Sequence, residues 1–166
     1  RCGEGVPTER GGLGGRFAPA AAVNSGGVVV GQAHLPDNVT HHAFAWRNGV
    51  LTDLGTFGGA SSTAVDVNDR GEILGHAQDA SGQWAAFIAG ESGGLSRLMD
   101  FPDHHFASAI NQRGDVVGTT QFSSYLYARG TMTILEQIPE VQAAGWFLLF
   151  PMDINDRGWI VGWGLR

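Results

Sequence analysis

One segment of the chain reads Ala64-Val65-Asp66-Val67-Asn68-Asp69-Arg70-Gly71-Glu72-Ile73-Leu74-Gly75. Its pattern is an apolar residue, Asn, two variable residues, Gly, one variable residue, two apolar residues and Gly. The same pattern occurs three more times, with the asparagine at positions 24, 111 and 155, so that the four copies are spaced by 44, 43 and 44 residues. A fixed period of about 40–45 residues is typical of a four-stranded propeller blade.

Each copy is predicted to form a β-hairpin. The Val and Ile residues on both sides favour a pleated, half-buried surface. Asn starts a turn because its side chain can bond the backbone two residues on, and the Gly three places later supplies a positive φ. We therefore expect positive φ at Gly71, Gly114 and Gly158, and a bulge or close backbone approach at the Gly that ends each copy.

A second hairpin follows each of the first three copies. Asn48-Gly49 is a strong turn signal between residues 42–47 and 50–55, and related segments occupy residues 84–101 and 125–135. The sequence thus predicts an all-β, β-propeller-like array of about 3.5–4 four-stranded antiparallel repeats. The expected units are 17–60, 61–104, 105–145 and a half-unit at 146–166. The half-unit leaves three arrangements open: a ring closed by the N-terminal strand, a ring completed by a homodimer, and an open array.

Composition excludes several classes of protein. The 166 residues include 26 glycines without a triplet period, which indicates many tight turns between short strands. The formal net charge of −6 and the lack of a basic stripe argue against a nucleic-acid partner. No apolar run approaches the roughly 18 residues of a membrane span. Cys2, the single cysteine, excludes an intrachain disulfide and a thiolate metal cage.

The residues between successive Asn-to-Gly hairpins carry a family resemblance. His42-Ala43-Phe44, Trp46 and then Thr52-Asp53-Leu54-Gly55-Thr56-Phe57-Gly58-Gly59 follow the first Asn-to-Gly hairpin. Together they resemble the bacterial HAF repeat family over residues 21–135 and 151–164, although Ser124-Tyr125-Leu126 stands where the third unit would carry His-Ala-Phe. The resemblance implies an extracellular or periplasmic bacterial repeat protein of propeller type, and implies no particular reaction. Residues 1–20 lack the layout of a signal peptide, and a start at Arg1 is consistent with removal of a leader or upstream segment.

Asp66 and Asp153 are candidate metal ligands. They occupy one position of the repeat, where the other two copies have Ala22 and Ala109. In a four-unit ring they would face each other across the channel, and converging carboxylates suit Ca²⁺. The alternative is that each carboxylate accepts hydrogen bonds from backbone N–H groups at the inner edge of its sheet.

His76 and His105 are candidate general bases. His76 directly follows Leu74-Gly75, and His105 belongs to Asp103-His104-His105 in a loop between units. A histidine near a carboxylate can activate water, although a surface histidine with no catalytic role is the more common outcome. No Gly-x-Ser-x-Gly elbow and no phosphate-binding loop accompany them.

Trp159 and Trp163, in the half-unit, are candidates for stacking on a ligand. Two main functions follow from these residues. The first is a secreted module that binds a small molecule or another extracellular ligand. The second is a small Ca²⁺-dependent hydrolase of esters or lactones, such as homoserine lactones, in which the metal activates water. The second rests on analogy with other calcium-bearing propellers. A third alternative is a non-catalytic piece of a longer array.

Overall fold

A computed structural model describes residues 11–98 and 106–166 of the chain. In this part of the chain the strands form four antiparallel sheets in chain order. The first sheet contains β1 (Ala20–Val23), β2 (Val29–His34), β3 (His41–Arg47) and β4 (Val50–Gly55). The second contains β5 (Gly58–Val67), β6 (Ile73–Asp79), β7 (Trp84–Gly90) and β8 (Gly93–Arg97). The third contains β9 (Phe106–Ile110), β10 (Val116–Thr119), β11 (Ser124–Ala128) and β12 (Thr131–Ile134), and the fourth contains β13 (Leu148–Ile154) and β14 (Ile160–Leu165). The predicted all-β, propeller-like array of about three and a half repeats is confirmed.

The Asn-to-Gly hairpin forms as its side-chain chemistry predicts. In the second sheet, Asn68 Oδ1 accepts the N–H groups of Arg70 and Glu72, each at 3.0 Å. The Gly71 N–H donates to the Asn68 carbonyl at 3.1 Å, which closes the turn. The expected positive φ is confirmed at Gly71 (77°), Gly114 (81°) and Gly158 (82°).

The glycine that ends each copy lies opposite a β-bulge. In all four sheets the register of the first two strands shifts at this point. A Cβ at any of these glycines would overlap a carbonyl oxygen of the first strand or, at Gly31, of Pro19 directly before that strand; the glycines are Gly31, Gly75, Gly118 and Gly162. The expected close backbone approach is therefore confirmed, because the bulged strand leaves no room for a side chain.

Each sheet packs face to face on the next. We call the side that contacts the preceding sheet the front face and the side that contacts the following sheet the back face. Val30, Leu74 and Val117 lie on back faces, and each belongs to the apolar cluster shared with the next sheet. The core therefore lies between sheets, and each sheet depends on its neighbours for burial.

A ladder of asparagine side chains connects the four hairpins. Asn24 Nδ2 donates to the Asn68 carbonyl at 2.9 Å, Asn68 Nδ2 to that of Asn111 at 3.0 Å, and Asn111 Nδ2 to that of Asn155 at 3.1 Å. Asn24, Asn68 and Asn111 thus each accept a hydrogen bond within their own turn through the side-chain oxygen and donate one to the following sheet through Nδ2. The ladder places the turns in register and fixes how successive sheets stack.

Two segments differ from the expectations. The sequence has no segment with clear helical periodicity, yet a 3-10 turn (Leu135–Gln137) and α1 (Pro139–Ala143) lie between β12 and β13. Pro139 starts α1, which is too short to show helical periodicity. Residues 1–16 were interpreted as a degenerate last strand of a preceding unit plus a connection. Within the described part of this segment, Gly15 bonds to β2, as Phe17 and Pro19 do, and so extends β1. Residues 11–19 therefore do not complete the last sheet.

Candidate functional site

The last sheet is open on its back face. Trp159, Val161 and Trp163 alternate along and just before β14 and are 69%, 62% and 57% exposed. Alternate residues of a strand point to the same side, so these side chains form one apolar stripe. Phe150 of β13 stacks on Trp163 with ring centroids 3.9 Å apart, which widens the stripe. Apolar stripes of this kind mark binding surfaces.

The same sheet is open along its outer edge. The second strands of the other sheets, β2, β6 and β10, each pair on both sides, whereas β14 pairs only with β13 among the described residues. The outer backbone groups of β14 are consequently available to an added strand.

Within the described residues, no third strand places an aromatic residue beside β14, as one does beside the second strand of each other sheet. The ending glycines Gly31, Gly75 and Gly118 pair with Phe44, Phe87 and Tyr125 of the third strand. A Cβ at Gly75 would overlap the Phe87 ring, and one at Gly118 would lie 2.7 Å from Tyr125 Oη. At Gly162, as at Gly31, the three nearest atoms are backbone atoms of the preceding segment, which at Gly162 is β13.

A cavity adjoins Gly162 on this open side. Its volume is about 330 Å³. It is lined mainly by apolar side chains, among them Leu135, Ile138, Val141, Trp146 and Ile160. The 3-10 turn and α1 form one wall, and the last sheet forms the other. Apolar concave sites of this volume suit an aromatic group.

Glu136 holds this wall against the sheets. Its carboxylate accepts the Ser124 N–H at 3.0 Å, the Ser124 hydroxyl at 2.7 Å and the Leu149 N–H at 3.0 Å. The 3-10 turn is thus joined to both β11 and β13, and the cavity is built on fixed elements.

Asp66 and Asp153 lie in different sheets. Asp66 Oδ1 accepts the Val67 N–H at 2.8 Å, and its Oδ2 accepts the Ile110 N–H of the third sheet at 2.9 Å. Asp153 Oδ1 accepts the Ile154 N–H at 2.7 Å. The third sheet lies between β5 and β13, and each carboxylate accepts at least one backbone N–H group. Within residues 11–98 and 106–166, no group of three or more His, Cys, Asp or Glu side chains is placed to hold a metal ion. The calcium assignment stays a prediction.

His76 is buried between the second and third sheets. Its Nε2 accepts the Ala107 N–H at 2.7 Å, and its ring packs edge-on against Phe106. Burial lowers the pKa of His76 to about 4. The ring therefore joins two sheets as a neutral acceptor. His105, Asp103 and Cys2 lie outside the described residues.

The structure also explains the histidine of the HAF-like segment. His42 Nδ1 lies 2.9 Å from Asp53 Oδ2 on the neighbouring strand β4. Asp53 Oδ1 in turn accepts the Gly55 N–H at 2.8 Å. This pair joins β3 to β4 and is at least partly exposed, so its role is to hold one sheet together.

No family model matches the chain. No curated protein matches it in sequence either. The resemblance to HAF repeats therefore remains a prediction, and the geometry of the last sheet carries the functional argument.

The sequence singled out Trp159 and Trp163 as candidates and did not single out Gly162. A signal was present in the first three copies, because Phe44, Phe87 and Tyr125 each lie in the second hairpin that follows the ending glycine. The signal is visible only once the glycine and the aromatic are known to face each other. Among the described residues no helix has the length and apolar character needed to cross a membrane.

Proposed function

We propose that this protein is an extracellular interaction module that binds an extended polypeptide segment along β14. The segment adds a third antiparallel strand to the last sheet, and one of its aromatic side chains occupies the cavity beside Gly162. Strand addition at a free edge supplies backbone hydrogen bonds, while pockets for side chains supply specificity. The extracellular location follows from the resemblance to HAF repeats.

The observation that carries the proposal is the contrast between Gly162 and its three equivalents. Each of the other ending glycines pairs with an aromatic residue of a third strand, whereas Gly162 adjoins an apolar cavity and a free strand edge. Gly162 has no side chain that would fill this space, so a bound segment can place its ring against the backbone, as Phe87 does at Gly75.

The chain itself supplies a suitable probe. A fluorescent heptapeptide with the sequence of residues 41–47 carries the first-sheet aromatic, Phe44, at its centre. Titration followed by fluorescence anisotropy is expected to show saturable binding. A matched peptide with Ala in place of that Phe is expected to bind at least about tenfold more weakly, because truncating an aromatic anchor removes much of the binding energy.

Two variants of α1 locate the site. Val141→Trp places a ring in the cavity and is expected to abolish binding of the Phe peptide. Gln142→Trp introduces the same ring at an exposed neighbouring position and is expected to leave binding unchanged. Equal affinity for the two peptides, or equal binding by the two variants, would disprove the proposal.

A further inference from the structure

Within the chain, one rule governs how sheets stack. The first strand of each sheet lies across the back face of the preceding sheet: β5 contacts β1, β2 and β3. Likewise β9 contacts β5, β6 and β7, and β13 contacts β9, β10 and β11. The rule needs an apolar back face on one sheet and an apolar first strand on the next.

The back face of the last sheet satisfies the first half of this rule and is uncovered. Val161 occupies the position of Val30, Leu74 and Val117 in the other copies. Those three side chains are 0% exposed, whereas Val161 is 62% exposed. Val161 has the same position in its sheet as these three residues. It is exposed because, among the described residues, no following sheet covers it.

The first strand of the first sheet satisfies the second half. Val23 of β1 occupies the position of Val67, Ile110 and Ile154, which are 6%, 6% and 4% exposed. Val23 itself is 64% exposed. The front face of the first sheet therefore presents an exposed apolar side chain of the kind that covers the back face of each inner sheet.

Polar groups at the two ends complement each other in the same way. Among the described residues, Asn155 Nδ2 has no acceptor, although the three preceding asparagines each donate to the next turn. Asp153 Oδ2 has no donor there, whereas Asp66 Oδ2 accepts the Ile110 N–H.

The equivalent of Ile110 in the first sheet is Val23. Since the Asn24 N–H points toward β2 and adjacent N–H groups of a strand point in opposite directions, the Val23 N–H points away from β2.

We propose that the back face of the last sheet binds the first sheet of a second copy of this chain. The partner's β1 would lie on β13 and β14, with the partner's Val23 against Val161, Trp159 and Trp163. Asn155 Nδ2 would donate to the carbonyl of the partner's Asn24, and Asp153 Oδ2 would accept the N–H of the partner's Val23. The interface continues the stacking already present within the chain. It shares Trp163 with the lining of the cavity beside Gly162, but it leaves the backbone edge of β14 and the α1 wall free.

Such an interface is heterologous, because the two copies contribute different surfaces. It closes into a ring or continues as a chain, depending on the rotation between copies. A closed dimer would contain eight sheets, four from each copy, which lies within the four to eight blades of propellers.

Sedimentation velocity over a range of concentrations tests the proposal. The formal net charge of −6 makes copies repel, so the measurement belongs at an ionic strength of about 0.15 M or higher. The wild-type chain is expected to associate. Val161→Lys and Val23→Lys each place a charge on one of the two surfaces and are expected to be monomeric. Both positions are exposed in the single chain, so circular dichroism should show an unchanged fold for each variant.

The decisive sample is an equimolar mixture of the two variants. Val161→Lys retains an intact first sheet and Val23→Lys an intact last sheet, so the mixture is expected to form a one-to-one complex. Val39→Lys, in the exposed loop between β2 and β3, is the matched control and is expected to associate like the wild type. A wild-type chain that stays monomeric, single variants that associate normally, or a mixture that stays monomeric would each overturn the proposal.

A second variant tests the asparagine ladder. Asn155→Asp keeps the oxygen that accepts the Arg157 and Trp159 N–H groups but loses the Nδ2 donor. Association is expected to weaken by a few-fold to about tenfold, the worth of one net hydrogen bond. Unchanged association of this variant would remove Asn155 from the interface and overturn the ladder part of the proposal. Peptide binding along β14 by the monomeric Val161→Lys variant would show that the two proposals succeed or fail separately.

Discussion

Single residues in this protein act both within a turn and between sheets. Asn68 illustrates this, since its oxygen accepts two N–H groups of its own turn while its Nδ2 donates to the Asn111 carbonyl. The first role is local and follows from the residue type. The second depends on which turn lies beside it, and it explains why Asn is used at this position where Asp, which lacks the amide donor, would not serve.

His76 makes stability depend on pH. Its folded pKa, about 4, lies below its ordinary value of 6.5 because burial disfavours the charged ring. The unfolded chain therefore binds more protons between these two values. The contribution of His76 is fully present above about pH 6.5 and is lost as the pH falls toward 4. The expected loss is about 2 kcal/mol by pH 5 and about 3 kcal/mol by pH 4.

Urea unfolding at pH 7.5, 6 and 5 measures this effect. His76→Gln removes the titrating ring and keeps an oxygen that can accept the Ala107 N–H, so its free energy of unfolding is expected to fall less steeply with pH than that of the wild type. Burial also lowers the pKa of His41, which adds a change of the same sign in both proteins. Parallel pH profiles for the two proteins would refute the assignment to His76.

At the level of elements, the hairpin is the unit that the sequence encodes most directly. The hydrogen bonds that form it join residues within four positions of each other, as those of Asn68 show. The bulge in the first strand is equally regular. It lies opposite Gly75 in the second sheet and recurs opposite Gly31, Gly118 and Gly162 in the others. Helix α1 was missed because one short turn carries no periodic signal.

Gly71→Ala tests the turn. The φ of 77° is unfavourable for an L-residue, and the added Cβ would lie 3.0 Å from Glu91 Oε1. The free energy of unfolding is expected to fall by about 1 kcal/mol or more. Chemical denaturation measures the change, with Gly90→Ala as the control. A Cβ at Gly90 meets nothing within 4 Å, so a change of no more than about 0.5 kcal/mol is expected there. Equal effects at the two glycines would contradict the turn geometry.

At the level of the whole molecule, stability is expected to vary along the array. The second sheet is covered on both faces by its neighbours, and Ile73, Leu74 and Phe87 are fully buried. In the part of the chain that the structure describes, the last sheet has two strands and one uncovered face. In stacked repeats each unit is stabilised by its own structure and by its interfaces with neighbours, so a terminal unit opens more readily.

Hydrogen exchange measured by mass spectrometry checks this expectation on the monomeric Val161→Lys variant. Amides of β6 and β7 are expected to exchange slowest, and those of β14 fastest among the strands. Protection of β14 is expected to rise in the wild type at concentrations where copies associate. Uniform protection across the four sheets of the monomer would contradict a stability that depends on neighbouring sheets.

Local chemistry explains how much was predictable from the chain alone. The four hairpins, their positive φ glycines and the second hairpins depend on residues close in sequence, such as Asn68 with Gly71 and Asn48 with Gly49. The repeat spacing then implies that like units stack. These features determined the all-β array and placed Trp159 and Trp163 in its last, incomplete unit.

Only the tertiary structure decided which side chains and backbone groups of those units are buried and which remain exposed. The same apolar position is fully buried at Leu74 and exposed at Val161 because burial depends on whether another sheet lies next to it. The same glycine pairs with an aromatic at Gly75 and adjoins a cavity at Gly162 because, among the described residues, no third strand pairs with β14. Asp66 bonds the backbone of the third sheet for a similar reason, since its partner stands 44 residues away. Contacts between distant segments are set by how sheets stack, and a repeated sequence pattern is the same at an inner sheet and at an outer one.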